Sequence, residues 1–187
     1  MDKTKVLVVI DMQNDFITGS LGSADAQAIV PGVAQLIESW EGLVYATKDT
    51  HKDNYAETLE GAKLPIPHCI AGTVGWDFAP AVQSALDKHA LRPGTLGDWS
   101  EVHKPSFGSY DLIRQVASDF RATGTPASIT IVGLCTDICV VSNALMLRAK
   151  FPNTPITCIA HLCAGTSKEN HEAALQVMRC CQIDVEY

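Results

Sequence analysis

No stretch of this chain reaches the roughly 20 consecutive apolar residues that a membrane-spanning helix needs. The first apolar run, over 6–10, is too short for the core of a secretory signal, and Asp11 follows at once, so no leader is expected. Positive charge is scarce. Fourteen Lys and Arg stand against 21 Asp and Glu, a formal net charge of −7 that argues against a nucleic-acid or anionic-membrane surface. The six histidines are too scattered to change that balance. No Gly-x-Gly-x-x-Gly follows the first apolar run and no Walker A sequence occurs, which disfavours a dinucleotide or P-loop nucleotide site. A disulfide framework is missing too. The seven cysteines (69, 135, 139, 158, 163, 180 and 181) are odd in number, and their spacing suits a reducing, cytoplasmic setting. Neither Cys135-x3-Cys139 nor Cys180-Cys181 has the spacing of a zinc knuckle, so most of these thiols are expected in the core.

Repeats, low-complexity tracts and linkers are also lacking, so residues 1–187 are expected to form one domain, long enough to bury roughly 70% of its unfolded surface. What is present is an alternation of short apolar runs and helical patterns. Strands are predicted over 6–10, 43–46, 101–104, 128–132, 156–160 and 183–187. Helices are predicted over 31–40, 79–89, 110–120, 138–147 and, from a capping box at Thr166-Ser-Lys-Glu169, about 166–181. The helix over 138–147 is almost wholly apolar and is expected to be buried on most sides. A long loop over 48–78 and an irregular run over 91–106 separate these elements, and a loop as long as the first usually carries function. The pattern predicts a three-layer α/β/α sandwich around a mostly parallel, doubly wound sheet of about six strands. Ligands of such sheets lie outside the carboxyl ends of the strands. Asp11, Asp49, Lys104 and Cys139 all fall at such ends and should gather at one edge.

The stretch Ile129-Thr-Ile-Val-Gly133-Leu134-Cys135-Thr136-Asp137-Ile138-Cys139-Val140 places Cys139 where a strand turns into a helix. The unpaired N–H groups and partial positive charge of a first helical turn favour a thiolate, and the same groups can hold a substrate oxyanion. The blander alternative is a buried thiol acting as a small apolar side chain. For Asp11 and Lys104 the corresponding alternatives are a turn-capping residue and a solvated edge charge. Asp15 and Asp137 read as turn and N-cap residues.

Asp11-Met-Gln-Asn-Asp15-Phe16, Lys104 and Gly133-Leu-Cys-Thr-Asp-Ile-Cys139-Val together resemble the isochorismatase-like cysteine hydrolase superfamily, in that family's order and across nearly the whole chain. Nicotinamidases, N-carbamoylsarcosine amidohydrolases and ureidoacrylate amidohydrolases belong to it. The resemblance implies a catalytic triad of Asp11, Lys104 and Cys139. It also implies a cis peptide at Leu134–Cys135 that turns the Cys135 N–H inward to join that of Cys139 as an oxyanion hole. Phe16 corresponds to an aromatic pocket residue of the family, and a homo-oligomer is a common assembly in it. The chemistry implied is hydrolysis of a small carboxamide, nicotinamide to nicotinate and ammonia first, through a thioester on Cys139. A carbamoyl or ureido amidohydrolase and an isochorismate-cleaving enzyme are the alternatives, the latter disfavoured because it does not need the cysteine. A non-catalytic binder, or a redox protein pairing Cys135 with Cys139, fits the triad poorly.

The long loop carries Asp49-Thr-His51, Glu57, Glu60 and His68, a carboxylate and imidazole set suited to Zn²⁺, Mn²⁺ or Fe²⁺. Asp49, His51 and His68 match the pattern by which nicotinamidases bind a divalent metal, with zinc the first choice here. The further ligand is Glu57 or Glu60, and the spacing to His68 favours Glu60. Pro65 stands where nicotinamidases usually carry a stacking aromatic three residues before the last His. Trp76, Phe107 or Tyr110 are then the candidates for a second aromatic wall.

Overall fold

A computed structural model describes residues 5–91, 99–122 and 124–187. The chain runs β1 (Lys5–Ile10), α1 (Asn14–Ile17), α2 (Ala24–Ser39), β2 (Leu43–Asp49), α3 (Leu59–Lys63), α4 (Pro80–Ala90) and β3 (Ser100–Lys104). It continues through α5 (Tyr110–Asp119), β4 (Ser128–Leu134), α6 (Val141–Lys150), β5 (Ile156–Ala164), α7 (Lys168–Cys180) and β6 (Asp184–Glu186). Strand β1 shows why the layers form. Val6, Val8 and Ile10 point into one apolar cluster, Leu7 and Val9 into another, and all five are fully buried. A strand apolar on both faces must be covered on both.

The first cluster is closed by Leu112 and Val116 of α5, Ala144 and Leu147 of α6, and Leu175 and Met178 of α7. The second is closed by Ile29, Val33 and Ile37 of α2 with Val82, Ala85 and Leu86 of α4. Between them lies a six-stranded sheet in the order β3-β2-β1-β4-β5-β6, every neighbouring pair parallel. This is the predicted α/β/α sandwich, wholly rather than mostly parallel. Strands β1 and β4 are adjacent at its centre, and the chain leaves them toward opposite ends of the sheet. That is the topological switch point, where a crevice opens beyond the carboxyl ends.

Several boundaries differ from the sequence reading, each for a local reason. Helix α2 begins at Ala24 rather than Pro31, because Ser23 caps it by accepting the Ala26 N–H at 3.0 Å. Pro31 sits inside the helix, and the buried stripe of Ala26, Ile29, Val33 and Ile37 outweighs the one hydrogen bond it cannot make. Helix α7 is capped by Ser167, which accepts the Asn170 N–H at 3.1 Å, so the predicted capping box moves by one residue. Strand β5 runs on to Ala164 through a register shift, with Ile131 facing Cys158 but Gly133 facing Cys163. The loop after β2 is partly ordered by a 3-10 turn at Tyr55–Glu57 and by α3. Of the irregular run over 91–106, residues 92–98 lie outside the described residues.

Candidate active site

The carboxyl edge of the sheet collects the four polar groups. Asp11 follows β1, Asp49 ends β2, and Lys104 ends β3 directly opposite Asp49 in the strand register. Cys139 lies in a π-helical turn, Thr136–Val140, between β4 and α6. Lys104 is the hub. Its fully buried ammonium stands 2.7 Å from Asp11 Oδ2, 3.3 Å from Asp49 Oδ1, 3.3 Å from Cys139 Sγ and 3.2 Å from the Ser106 carbonyl. Thr47 fixes Asp11 from the neighbouring strand, its hydroxyl donating to Asp11 Oδ1 at 2.6 Å and its backbone carbonyl accepting the Asp11 N–H. Nothing in the sequence pattern singles out Thr47. Asp11 itself has φ 48, in the left-handed region. Gly133 has φ +121, and a Cβ there would lie 2.1 Å from the Ile10 carbonyl. Only glycine lets β4 pass that closely beside the end of β1.

Burial dominates the protonation of this cluster. It pushes the Asp11 carboxyl up, against the pull of the Lys104 charge. Burial works against the Lys104 ammonium too, but the charges of Asp11, Cys139 and Asp49 outweigh it and lift Lys104 well above an ordinary lysine. The Cys139 thiol is pushed well up, first by burial and then by the Asp11 charge, with Lys104 opposing. This corrects the expectation of a thiol lowered by its helix start: burial and the Asp11 charge push it up instead. The thiol is therefore a proton donor, and Asp11, which shares the Lys104 ammonium with it, is the acceptor at hand.

Asp49 faces two ways. Its Oδ1 touches Lys104, while its Oδ2 lies 3.1 Å from His51 Nε2 and 3.6 Å from His68 Nε2. Glu60 Oε1 is 3.6 Å from both imidazoles, and one donor atom from each of the four residues falls within 4.8 Å of every other. Glu57, the other carboxylate considered, stands outside this group. His68 Nδ1 lies 2.9 Å from the Ile66 carbonyl, which can only accept, so Nδ1 carries a proton and Nε2 is the nitrogen turned to the cluster. Two imidazole nitrogens and two carboxylate oxygens thus converge on one point. Such a set fits a divalent cation, with a second-sphere carbonyl already orienting one ligand. Burial opposes ionisation of Asp49, yet His51, His68 and Lys104 hold its carboxyl well below the usual carboxylate range. Tyr55 packs its ring edge against both imidazoles, a contact the sequence reading did not anticipate.

Cys139, Asp49, Glu60 and His68 form the polar floor of a cavity of about 400 Å³. Its walls are apolar: Phe16, Leu21, Leu64, Phe107, Leu134 and Ile138. Of the three candidates for a second aromatic wall, only Phe107 lines it. Trp76 is turned away, its indole N–H donating to Thr50 Oγ1, and Tyr110 is 85% exposed outside the cavity. Pro65 is exposed, and its neighbour Leu64 lines the wall instead. The Leu134–Cys135 peptide is cis, as expected. Cys135 and Cys139 are free thiols, and burial pushes that of Cys135 up to about 12. Asp137 does not cap its own helix. It reaches across to accept the N–H (2.8 Å) and hydroxyl of Thr166. Asp15, expected in a turn, accepts the Cys69 N–H at 2.7 Å. A larger open groove of about 580 Å³ along β3 and α5 carries none of these groups.

The isochorismatase domain family matches residues 5–186. The nicotinamidase/pyrazinamidase of Mycobacterium tuberculosis is 28% identical over 197 residues, covering 97% of each chain. Among solved structures, the nicotinamidase/pyrazinamidase of Bacillus subtilis superposes with a TM-score of 0.82 at 24% identity, covering 98% of this chain and 100% of that one. The pyrazinamidase of Pyrococcus horikoshii in complex with zinc superposes at 0.76 with 23% identity, covering 98% and 99%.

Proposed function

This chain belongs to the isochorismatase family, and from that premise we propose a cysteine-dependent amidohydrolase that cleaves a small aromatic carboxamide, nicotinamide first, to the acid and ammonia. One observation carries the reading: Lys104 Nζ bridges Asp11 Oδ2 and Cys139 Sγ, at 2.7 and 3.3 Å, on the floor of an apolar cavity. That is a nucleophile, a proton acceptor and a fixed positive charge within one hydrogen-bonded cluster. Relatives named nicotinamidase support the substrate class.

The steps follow from the protonation order. As Cys139 Sγ bonds to the carboxamide carbon, its proton passes to Asp11 and the carbonyl electrons move onto oxygen. The backbone N–H groups of Cys135 and Cys139 are proposed to hold that oxyanion. Its collapse breaks the C–N bond, and Asp11 returns the proton to the departing ammonia. Water then attacks the thioester while giving its proton to Asp11. Collapse releases the acid, and Cys139 regains its thiol. Lys104 keeps its charge throughout and offsets the negative charge that moves between Asp11 and Cys139. Asp49, His51, Glu60 and His68 would hold a divalent ion, zinc in preference to manganese or iron, a choice supported by the mixed nitrogen and oxygen donors and by the zinc complex of the Pyrococcus relative. When bound, the ion would polarise or orient the ring nitrogen of the substrate. A homo-oligomer in a reducing cytoplasm completes the proposal, supported by the family resemblance and by the seven free thiols.

Ammonia release should be measured across nicotinamide, pyrazinamide and small ureides, with and without chelator, for the native protein and Cys139→Ala. The expected result is release from the pyridine or pyrazine carboxamide and none from Cys139→Ala. A Cys139→Ala protein that still released ammonia would sink the mechanism, and activity on ureides alone would sink the substrate class.

A further inference from the structure

The segment just after Asp11 has work that the reaction does not explain. Gln13 is fully buried and uses its whole amide on the end of β2 and on the loop at Trp76. Its Oε1 accepts the Asp49 N–H at 2.7 Å, and its Nε2 donates to the Asp49 carbonyl at 2.9 Å and the Trp76 carbonyl at 2.8 Å. Two residues on, Asp15 Oδ2 accepts the N–H of Cys69, the residue after His68, at 2.7 Å. Cys69 has φ 46, a left-handed conformation that a non-glycine residue holds only when its surroundings impose it. The Asn14 and Asp15 N–H groups donate to the Asp77 and Gly75 carbonyls, and Ser20 donates to the Pro67 carbonyl. Gly75 lies so close that a Cβ there would meet the Asp15 carboxylate at 2.2 Å.

We infer that Gln13 and Asp15 are positioning residues for the cation site: one segment fixes the backbone on both sides of the ligand set, at Asp49 and beside His68. Two ligands far apart in sequence can hold one ion only if their backbones keep a fixed separation. The two ends of the loop are bridged directly, the His51 N–H donating to the Cys69 carbonyl at 3.0 Å and the Ala71 N–H to the His51 carbonyl at 2.9 Å. Gln13 at Asp49 and Asp15 at Cys69 hold that bridged pair against the segment after β1, and they are two residues apart in the same chain segment. Removing either leaves the four ligand side chains in place and frees one of the two anchors. Outer-shell partners of metal ligands typically contribute about 10- to 100-fold in affinity.

This inference rests on the metal reading proposed above, and the test separates the two. Zinc affinity is measured by competition with a chromophoric chelator for the native protein, Gln13→Met, Asp15→Ala and Asp15→Asn. The visible spectrum of the Co²⁺-loaded proteins is recorded beside it. Methionine keeps the length of Gln13 without its hydrogen bonds, and asparagine keeps an oxygen that can accept from Cys69. Zinc should bind Gln13→Met and Asp15→Ala about 10- to 100-fold more weakly, with altered cobalt bands, and Asp15→Asn should recover most of the loss. If Gln13→Met does not fold, the Asp15 pair decides alone. Native-like affinity and spectra in the variants that fold overturn the positioning role and leave the metal site standing. A native protein that binds neither ion overturns both.

Discussion

Two cysteines four residues apart share the turn after β4, and their surroundings assign them different work. Cys139 has an ammonium at 3.3 Å and a carboxylate ready to take its proton. Cys135 lines the same cavity, but burial raises its thiol to about 12 and the Asp137 and Asp11 charges add to that. The Cys139 thiol is raised as well, so the difference lies in the partners: Lys104 stands at hydrogen-bond distance from the Cys139 sulfur with Asp11 on the same ammonium, an arrangement not seen at Cys135 among the described residues. What Cys135 can offer is its backbone N–H, which any side chain at that position keeps. Cys135→Ala is therefore expected to retain kcat within about threefold, whereas Cys139→Ala loses turnover altogether. Steady-state ammonia release from the two variants checks this. A large loss in Cys135→Ala with its fold intact would give the thiol a role denied to it here.

The elements that carry these residues were legible from the sequence to different degrees. Strand ends were readable because fully buried parallel strands give unbroken β-branched runs, and a polar residue that stops such a run marks the carboxyl edge. Asp11, after the run over 6–10, is legible in this way; Lys104 is less so, because Glu101-Val-His-Lys104 is a short polar strand buried only at alternate positions, and its role comes from the resemblance. Spacing to His68 favours Glu60 over Glu57, and the fold brings Glu60 to the imidazoles. Thr47 and Tyr55 could not be found, because their importance comes from a neighbouring strand or a folded loop rather than from local pattern. Proline at 31 was misleading, since it suits a helix start as well as an interior position that packing can sustain. Asp137 misled for a related reason: it follows a strand and precedes a helix, but its carboxylate serves Thr166 in the β5–α7 connection. That cross-link, with Thr136 Oγ1 and His171 Nδ1 at 2.8 Å, ties the turn bearing Cys139 to the opposite rim of the cavity. Losing hydrogen bonds to a charged group costs about 1.5–3 kcal/mol, and misplacing reacting atoms by 1 Å can cost about a hundredfold in rate. Asp137→Ala should thus lower the urea midpoint and reduce kcat about tenfold or more, with KM moving less. Asp137→Asn should recover part of both. An unchanged kcat in Asp137→Ala would mean that the turn holds its shape without the tie.

At the scale of the whole molecule, the sheet and the ligand loop are stabilised by different means. The cluster under α5, α6 and α7 contains no residue from 50–79, and the cluster under α2 and α4 buries only Cys69, Phe78 and Ala79 from that stretch, with Trp76 packed at its margin. The loop is held instead by the backbone bridge of His51 with Cys69 and Ala71, by hydrogen bonds from the segment after β1, by the cation–π contact of Lys48 with Trp76 at 3.9 Å, and by its ligand side chains. Without a cation, the loop loses the cross-link that joins all four ligand side chains and keeps only their mutual contacts and its backbone hydrogen bonds. A segment with few apolar anchors opens locally at a lower cost than the core does. A bound ion also stabilises the native state in proportion to its occupancy, by about 4 kcal/mol when free ion stands at 1,000 times the dissociation constant. Chelation should therefore lower the melting temperature and bring the first proteolytic cuts into residues 50–79. Far-UV circular dichroism at 25 °C should change little, because both core clusters remain closed. Limited proteolysis with mass mapping, run with zinc and with chelator, distinguishes the outcomes. Cuts that appear at the same sites and rates in both conditions would show that the backbone bridge at His51 and the hydrogen bonds from the Gln13–Asp15 segment are enough to hold the loop, and that the ion contributes nothing to its order.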